Sequence, residues 1–178
     1  MAILMLRHTT PLVAPGICYG QTDLDVADSF DAEVAQILER VPQIAAIVTS
    51  PLQRCSMLAE RIADRKNLRV ESDDRLKEMD FGTWEGQPWS DIPRDELDAW
   101  ANDFFQANPH GGESVQSLKR RVDSVVSEKR QTSTPTLFVT HGGVIRAALA
   151  KGEKARDYQT EIGFGELVRL PETKQGNQ

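Results

Sequence analysis

The sequence predicts an α/β domain built as a three-layer sandwich around a mostly parallel central sheet, and three observations carry that expectation. Apolar runs of interior-strand length recur at Ile3-Leu4-Met5-Leu6, at Ile44 to Thr49 and at Thr136 to Thr140, and runs of about four to eight such residues suit strands buried on both faces. Segments of helical periodicity alternate with them. Two of the runs break off into polar pairs, Arg7-His8 and Thr140-His141, and parallel sheets present their ligand sites beyond the carboxyl ends of the strands.

A chain of 178 residues suits one domain with a real core, expected over residues 1–178 with 173–178 as a frayed polar tail. A net charge of −6 argues against nucleic-acid binding, which needs a basic face. Any anionic ligand must therefore meet a local cationic cluster. Two cysteines, Cys18 and Cys55, are too few for a disulfide framework and read as small buried apolar residues in a reducing compartment. No run approaches the ~20 apolar residues of a membrane span, and no basic region leads into an apolar segment at the start. The expectation is a cytoplasmic protein with no membrane partner, a monomer or a homodimer.

The elements follow in order. After the first strand, Pro11, Pro15, Gly16 and Gly20 punctuate a long irregular loop whose Cys18-Tyr19-Gly20-Gln21-Thr22-Asp23 suits a substrate loop. Asp28 or Ser29 caps a helix with Phe30, Val34, Ile37, Leu38 and Val41 on one face, ended by Pro42. Ile44 to Thr49 forms the second strand, and Ser50-Pro51 reads as a cap followed by proline at the first helical position. The helix so opened carries Leu52, Cys55, Ala59 and Ile62. A short strand is expected at Leu68 to Val70.

Arg75 to Gly86 mixes aromatics and glycines without periodicity and reads as a packed functional loop. One helix is expected from Asp91 to Asn108, entered through Pro93, and another from near Glu113-Ser114 with Val115, Leu118, Val122 and Val125 on one face. His110 between them suits an exposed loop. The strand at 136–140 leads into a helix from about Gly143 to Ala150, and a last strand is expected from Glu166 to Leu170.

Taken together, Arg7, His8, Arg54, His141 and an acidic residue on the aromatic loop have the composition of a phosphate site. Arg54 lies in a first helical turn, where the dipole disfavours a cation and an anion would compensate, although a solvated arginine or surface ion pair is the ordinary alternative. Two guanidiniums can fork onto one phosphoryl group, one imidazole can attack phosphorus, the other can hold developing charge, and a carboxylic acid can protonate the departing oxygen.

These stretches resemble the histidine phosphatase superfamily, also called phosphoglycerate-mutase-like. Arg7-His8-Thr9 is similar to its nucleophile motif, Ser50 to Cys55 to its second arginine motif, and Leu76 to Gly86 to its acid loop. Gly111-Gly112-Glu113-Ser114-Val115 and Thr140 to Arg146 match its later motifs, so the likeness runs in register through nearly the whole chain. It implies that fold, His8 as phosphohistidine nucleophile, Arg7, Arg54 and His141 as the phosphate pocket, Glu78 as proton donor, and neither metal nor cofactor. Tyr19, Gly20, Gln21, Thr22 and Gly142 are the expected substrate-binding residues around it, and a small phosphomonoester is the expected partner.

Within the superfamily, Gly16 to Leu24 is similar to the branch of α-ribazole phosphatases, which implies removal of the 5′-phosphate of α-ribazole 5′-phosphate in cobalamin nucleotide-loop assembly. The chain also departs from the family. Thr9 and Ala14 stand where many members have Gly and Asn, which raises Gln21 as an alternative amide ligand, and Ala150 to Gly165 is short and charged where relatives carry a longer apolar helix.

Five rival readings remain on the sequence alone. A broad-specificity phosphatase would share these motifs. A phosphoglycerate mutase would need inserted segments for which the chain lacks room, and a protein-phosphohistidine phosphatase would lack the acid loop. A phosphate-binding regulatory module would have lost His8 or Glu78, and a metal site on His8, His141 and Glu78 would place a cation beside two arginines.

Overall fold

The computed structural model describes residues 3–172 apart from Ser133, so the expected frayed tail at 173–178 lies outside the described residues. Five strands form one sheet: β1 (Ile3–Arg7), β2 (Ala46–Thr49), β3 (Val70–Ser72), β4 (Thr136–Thr140) and β5 (Leu167–Arg169), in the order β3-β2-β4-β1-β5. All pairings are parallel except β5, which runs antiparallel to β1. The register Ile3 to Thr136 through Arg7 to Thr140 brings the ends of β1 and β4 side by side. That pairing is why Arg7-His8 and His141 meet.

Alternation along the strands supplies both faces of the sheet with apolar groups. Ile3 and Met5 of β1 and Phe138 of β4 point into one core, with Val115, Leu118, Val122, Val144 and Ile145. Leu4, Leu6, Leu137 and Val139 point into the other, with Phe30, Val34, Ile37, Leu58 and Ile62. Two helices cover this second face, α1 (Phe30–Arg40) and α2 (Gln53–Lys66). On the opposite face α4 (Val115–Gln131) and α5 (Gly142–Leu149) complete the three layers, while α3 (Arg94–Asn102) is peripheral. Among the described residues no helix is long and apolar enough to cross a membrane.

Four features differ from the sequence-based expectation, three of them element boundaries with a local cause. Ser50-Pro51 does not open α2. Leu52 is still extended, and the carboxylate of Asp23 accepts the Gln53 N–H at 2.7 Å, so a residue from the loop after β1 caps the helix. Leu68 belongs to the end of α2, where Asn67 takes a left-handed conformation and the Leu68 N–H donates to the Ala63 carbonyl, which delays β3 to Val70. The helix expected from Asp91 to Asn108 is shorter, because Ile92, preceding Pro93, is held extended and separates a 3₁₀ turn at Trp89–Asp91 from α3. Asp103 then leaves the helical region.

The fourth difference concerns His110, which is 1% exposed rather than a solvated loop residue. Its ring packs 4.8 Å from Trp84 and 5.7 Å from Phe81, centroid to centroid, and its Nδ1 accepts the Gly112 N–H. Burial lowers its pKa, which keeps the ring neutral behind the loop that carries Glu78. Cys18 and Cys55 are both free and buried, as small apolar residues.

Candidate active site

His8 follows β1 directly and is 1% exposed. Its Nδ1 lies 2.7 Å from the Thr9 carbonyl, which can only accept, so Nδ1 carries the hydrogen and Nε2 keeps its lone pair. Burial pushes the ring's pKa down to about 3, with Arg54 and Arg7 acting in the same direction against the Thr9 bond. The group is a neutral imidazole across the physiological range, the protonation state a nitrogen nucleophile needs.

His141, on the first residue past β4, faces it with ring centroids 5.2 Å apart. Complete burial holds it well below the usual histidine range, and the neighbouring His8 and arginines add to the effect. Its Nε2 lies 2.8 Å from Ser50 Oγ and 3.5 Å from Cys55 Sγ. The Leu52 N–H points at the same hydroxyl oxygen at 3.4 Å, which leaves the hydroxyl hydrogen free for His141. Ser50, which sequence alone marked as a helix cap, thus orients this imidazole.

Two guanidiniums flank the rings. Arg54 is completely buried, held by the carbonyls of Gly20 and Thr22 at 2.6 and 2.8 Å. Arg7 donates to the Ile162 carbonyl at 2.6 Å. The Nε of each is buried with no hydrogen-bond partner, and neither pairs with a carboxylate among the described residues. Buried charges are ordinarily paired. Two guanidiniums that form no ion pair, beside two neutral imidazoles, make a pocket suited to an anion, with the Glu78 charge near Arg7 as its acidic neighbour.

Glu78 closes the constellation from the far side. Its Oε1 accepts the Met79 N–H at 2.9 Å and its Oε2 the Gly143 N–H at 3.0 Å, at the positive end of α5. A side chain at Gly143 would place its Cβ 2.3 Å from Glu78 Oε1, so this approach requires glycine. Gly142 packs its Cα against Arg7, where an added Cβ would lie 3.3 Å from Nε.

The expected substrate loop is tied to the acid loop through Glu85. That carboxylate accepts from the backbone N–H groups of Gln21, Thr22 and Phe81 and from the Thr22 hydroxyl. Burial pushes its pKa up, but these four donors outweigh it and hold the group below the usual carboxylate range. Gln21 donates its side-chain amide to the Glu78 carbonyl at 3.1 Å, bracing the loop that carries Glu78. At Gly20 an added Cβ would fall 2.0 Å from the Met79 carbonyl, so only glycine lets the two loops touch. Tyr19 places its ring 5.5 Å from the Arg54 guanidinium.

A pocket of about 370 Å³ opens beside these groups. Arg7, Glu78, Gly143 and Arg146 form its polar end, and Tyr19, Phe81, Trp89, Trp100, Phe104 and Tyr158 give it aromatic walls. Trp84 is core instead, its indole N–H donating to Glu96 at 2.6 Å, and Phe105 packs against the core cluster. Two contributors escaped the sequence reading. Phe164 lies over Arg7 and His8, and its only sequence signal is an aromatic between two glycines just before β5. Arg121, one helical face away from the motifs, ties the acid loop down.

The comparisons with known proteins agree with this geometry. Residues 3–164 match the family model of the histidine phosphatase superfamily, branch 1. Glucosyl-3-phosphoglycerate phosphatase of Mycobacterium tuberculosis is 31% identical over 176 residues, covering 83% of this chain and 73% of the relative. Adenosylcobalamin/alpha-ribazole phosphatase of Escherichia coli is 31% identical over 149 residues, covering 80% and 66%. Phosphoserine phosphatase 1 of Hydrogenobacter thermophilus is 29% identical over 154 residues, covering 82% and 72%. Among solved structures, mycobacterial glucosyl-3-phosphoglycerate phosphatase complexed with VO3 superposes with a TM-score of 0.82 at 27% identity, covering 94% of this chain and 91% of that one. With its buried imidazoles, unpaired arginines and matching fold, this chain belongs to the histidine phosphatase superfamily and is a phosphatase of its first branch.

Proposed function

We propose that the chain is a metal-independent phosphomonoesterase that works through a phosphohistidine on His8. The observation that carries the reading is the pair of arginines, Arg54 buried and Arg7 half-buried, each with a buried Nε that has no partner, beside a neutral His8 whose Nε2 lone pair is free. In the first step Nε2 attacks phosphorus, an N–P bond forms, the ester P–O bond breaks, and protonated Glu78 gives its proton to the leaving oxygen. In the second, water attacks the phosphohistidine, Glu78 takes its proton, and His8 leaves with its lone pair restored. Arg7, Arg54 and His141 meet the charge on the phosphoryl oxygens, the work that a divalent cation does elsewhere.

For the leaving group we favour α-ribazole, removed from α-ribazole 5′-phosphate. The support is the pocket beside Glu78, whose aromatic walls, Tyr19 and Trp89 among them, suit a flat apolar base. A second reading is favoured by Arg146. It lines the same pocket, donates its Nε to the Thr160 carbonyl at 2.8 Å, and forms no ion pair with a carboxylate among the described residues. A carboxylated leaving group would suit it, and phosphoserine phosphatase and glucosyl-3-phosphoglycerate phosphatase are among the relatives.

Two experiments test this. Quenching during turnover without acid should trap phosphate on His8 in an acid-labile, alkali-stable linkage, and the absence of that label defeats the covalent route. A panel of α-ribazole 5′-phosphate, 3-phosphoglycerate, phosphoserine and nucleoside monophosphates should show the first with the highest kcat/KM. A tenfold preference for a carboxylated ester, about 1.4 kcal/mol in the transition state, would favour the second reading, and level activity across the panel a broad-specificity phosphatase.

A further inference from the structure

His8 is 1% exposed, and the pocket described above reaches Arg7 and Glu78 without being lined by His8, Arg54 or His141. The ring of Phe164 lies against the nucleophile. It sits 5.6 Å from the His8 ring, tilted by 40°, while the Arg7 guanidinium carbon lies 3.9 Å from its centroid. Phe164 is itself 42% exposed. A solvated aromatic that stays on a cation and an imidazole is placed there by its backbone.

The backbone on either side of Phe164 is pinned. The Ile162 carbonyl accepts from Arg7 Nη1 at 2.6 Å, and the Gly165 N–H donates to the carbonyls of both Arg7 and His8 at 3.1 Å. The Arg7 N–H donates in turn to the Glu166 carbonyl, and Arg40 donates to the Gly165 carbonyl. Gly163 is tied to the Glu166 carboxylate at 2.6 Å. With these anchors in place, the Phe164 side chain can turn about its own bonds without moving the segment.

Arg7 has one edge on a carbonyl, one face on this ring, a hydrogen bond with the Tyr19 side chain and an Nε with no partner. A guanidinium fixed by an edge and a face presents its remaining donors in one plane, ready for a phosphoryl group. The geometry points to Phe164 as a positioning residue of the phosphate pocket: its ring fixes the plane of Arg7 and covers His8 until a phosphate ester enters. The inference rests on the phosphatase reading for what enters and adds how the empty pocket is kept in order.

The two roles separate in a substitution series. Phe164→Tyr keeps an aromatic face, Phe164→Leu keeps bulk without one, and Phe164→Ala removes both. Orthovanadate inhibition of p-nitrophenyl phosphate hydrolysis reads the Arg7 plane, and the rate of diethyl pyrocarbonate modification of His8 in the free enzyme reads the cover. We expect Phe164→Ala to weaken vanadate about tenfold and raise KM more than it lowers kcat, with Phe164→Tyr within about twofold of wild type. Phe164→Leu should protect His8 as the wild type does while still losing vanadate affinity. Vanadate affinity unchanged in Phe164→Ala, or equal in Phe164→Leu and Phe164→Tyr, overturns the positioning role, and an unchanged modification rate in Phe164→Ala overturns the cover. If the wild-type protein hydrolyses no phosphate ester, the phosphatase reading fails by itself, and the modification rates still decide whether Phe164 covers His8.

Discussion

Arg121 grips Glu113 with two nearly parallel hydrogen bonds, Nε to Oε1 at 2.7 Å and Nη2 to Oε2 at 2.8 Å, and hands its other donors to the carbonyls of Arg75, Lys77 and Glu78. One side chain on α4 thereby holds three carbonyls within the four-residue stretch that leads to Glu78. Glu113 in turn accepts the Asp80 N–H at 3.5 Å, while its own N–H donates to the Asp80 carbonyl.

This clamp should be visible as a separation of effects. Both partners are mostly buried, and truncating one of a buried pair costs about 3 to 5 kcal/mol. Arg121→Ala should lower the denaturation midpoint markedly. Arg121→Lys should fold better yet lose kcat on alkyl phosphates with vanadate affinity nearly intact, because it disturbs Glu78, the proposed acid, and not the proposed phosphate pocket. Parallel losses in kcat and vanadate affinity would show that the clamp supports the whole site instead.

Glu78→Gln tests the proton donor. An alkoxide leaves poorly without protonation, and a positioned general acid is worth about 10²- to 10⁴-fold. The variant should lose that much on α-ribazole 5′-phosphate and far less on p-nitrophenyl phosphate in the first step, with a burst of nitrophenolate if the second step slows. Retained alkyl activity would move the acid to another group. Glu85 is occupied by four donors, and neither it nor Asp80 lines the pocket that Glu78 lines.

The histidines give a pH signature. His8 and His141 have folded-state pKa values below the unfolded value near 6.5, so the unfolded chain takes up protons that the folded one refuses. The stability they contribute is fully present above that value. It falls as pH drops below about 6.5, by up to roughly 1.4 kcal/mol per pH unit for each histidine, and for His8 the decline continues to a pH of about 3. NMR of the imidazole Cε1 protons should show no titration of these two rings between pH 5 and 8 in the folded protein. A midpoint near 6.5 for His8 would contradict the buried neutral ring.

Ser50→Ala should act through His141. Loss of the hydroxyl 2.8 Å from Nε2 leaves that nitrogen with Cys55 Sγ as its remaining polar neighbour. A fall in kcat/KM of about tenfold is expected, together with a change in the imidazole ¹⁵N shifts that report the tautomer. Unchanged ¹⁵N shifts would leave Ser50 as a packing residue.

Much of this site was legible in the sequence because its residues sit next to strong local patterns. His8 and His141 follow unbroken apolar runs, so the strands that carry them also announce them, and Arg54 follows a Ser-Pro pair after a third run. What the sequence hid is tertiary. Asp23 caps α2 from a loop thirty residues earlier, Arg121 lies amid an ordinary charged helix surface, and His110 is buried only because Phe81 and Trp84 fold over it. Phe164 resembles any loop aromatic until β5 turns back along β1. Helix boundaries shifted where Pro93 and Asn67 dictated backbone conformations that periodicity does not register.

The sheet order also sets a schedule for the chain as it is made. β1 lies between β4 and β5, so the apolar strand that ends in Arg7 finds neither sheet neighbour until Thr136 and then Leu167 have been synthesised. At ribosomal speeds of about 5 to 20 residues per second, the stretch from Ile3 to Thr136 takes roughly 7 to 27 s. Throughout that interval Ile3 to Leu6 lacks its native sheet neighbours, and unpaired apolar strands are prone to aggregate. The nascent protein can hold no assembled phosphate pocket until nearly its last strand emerges, so premature hydrolysis is excluded by topology, while slow translation before β4 would lengthen the window for aggregation.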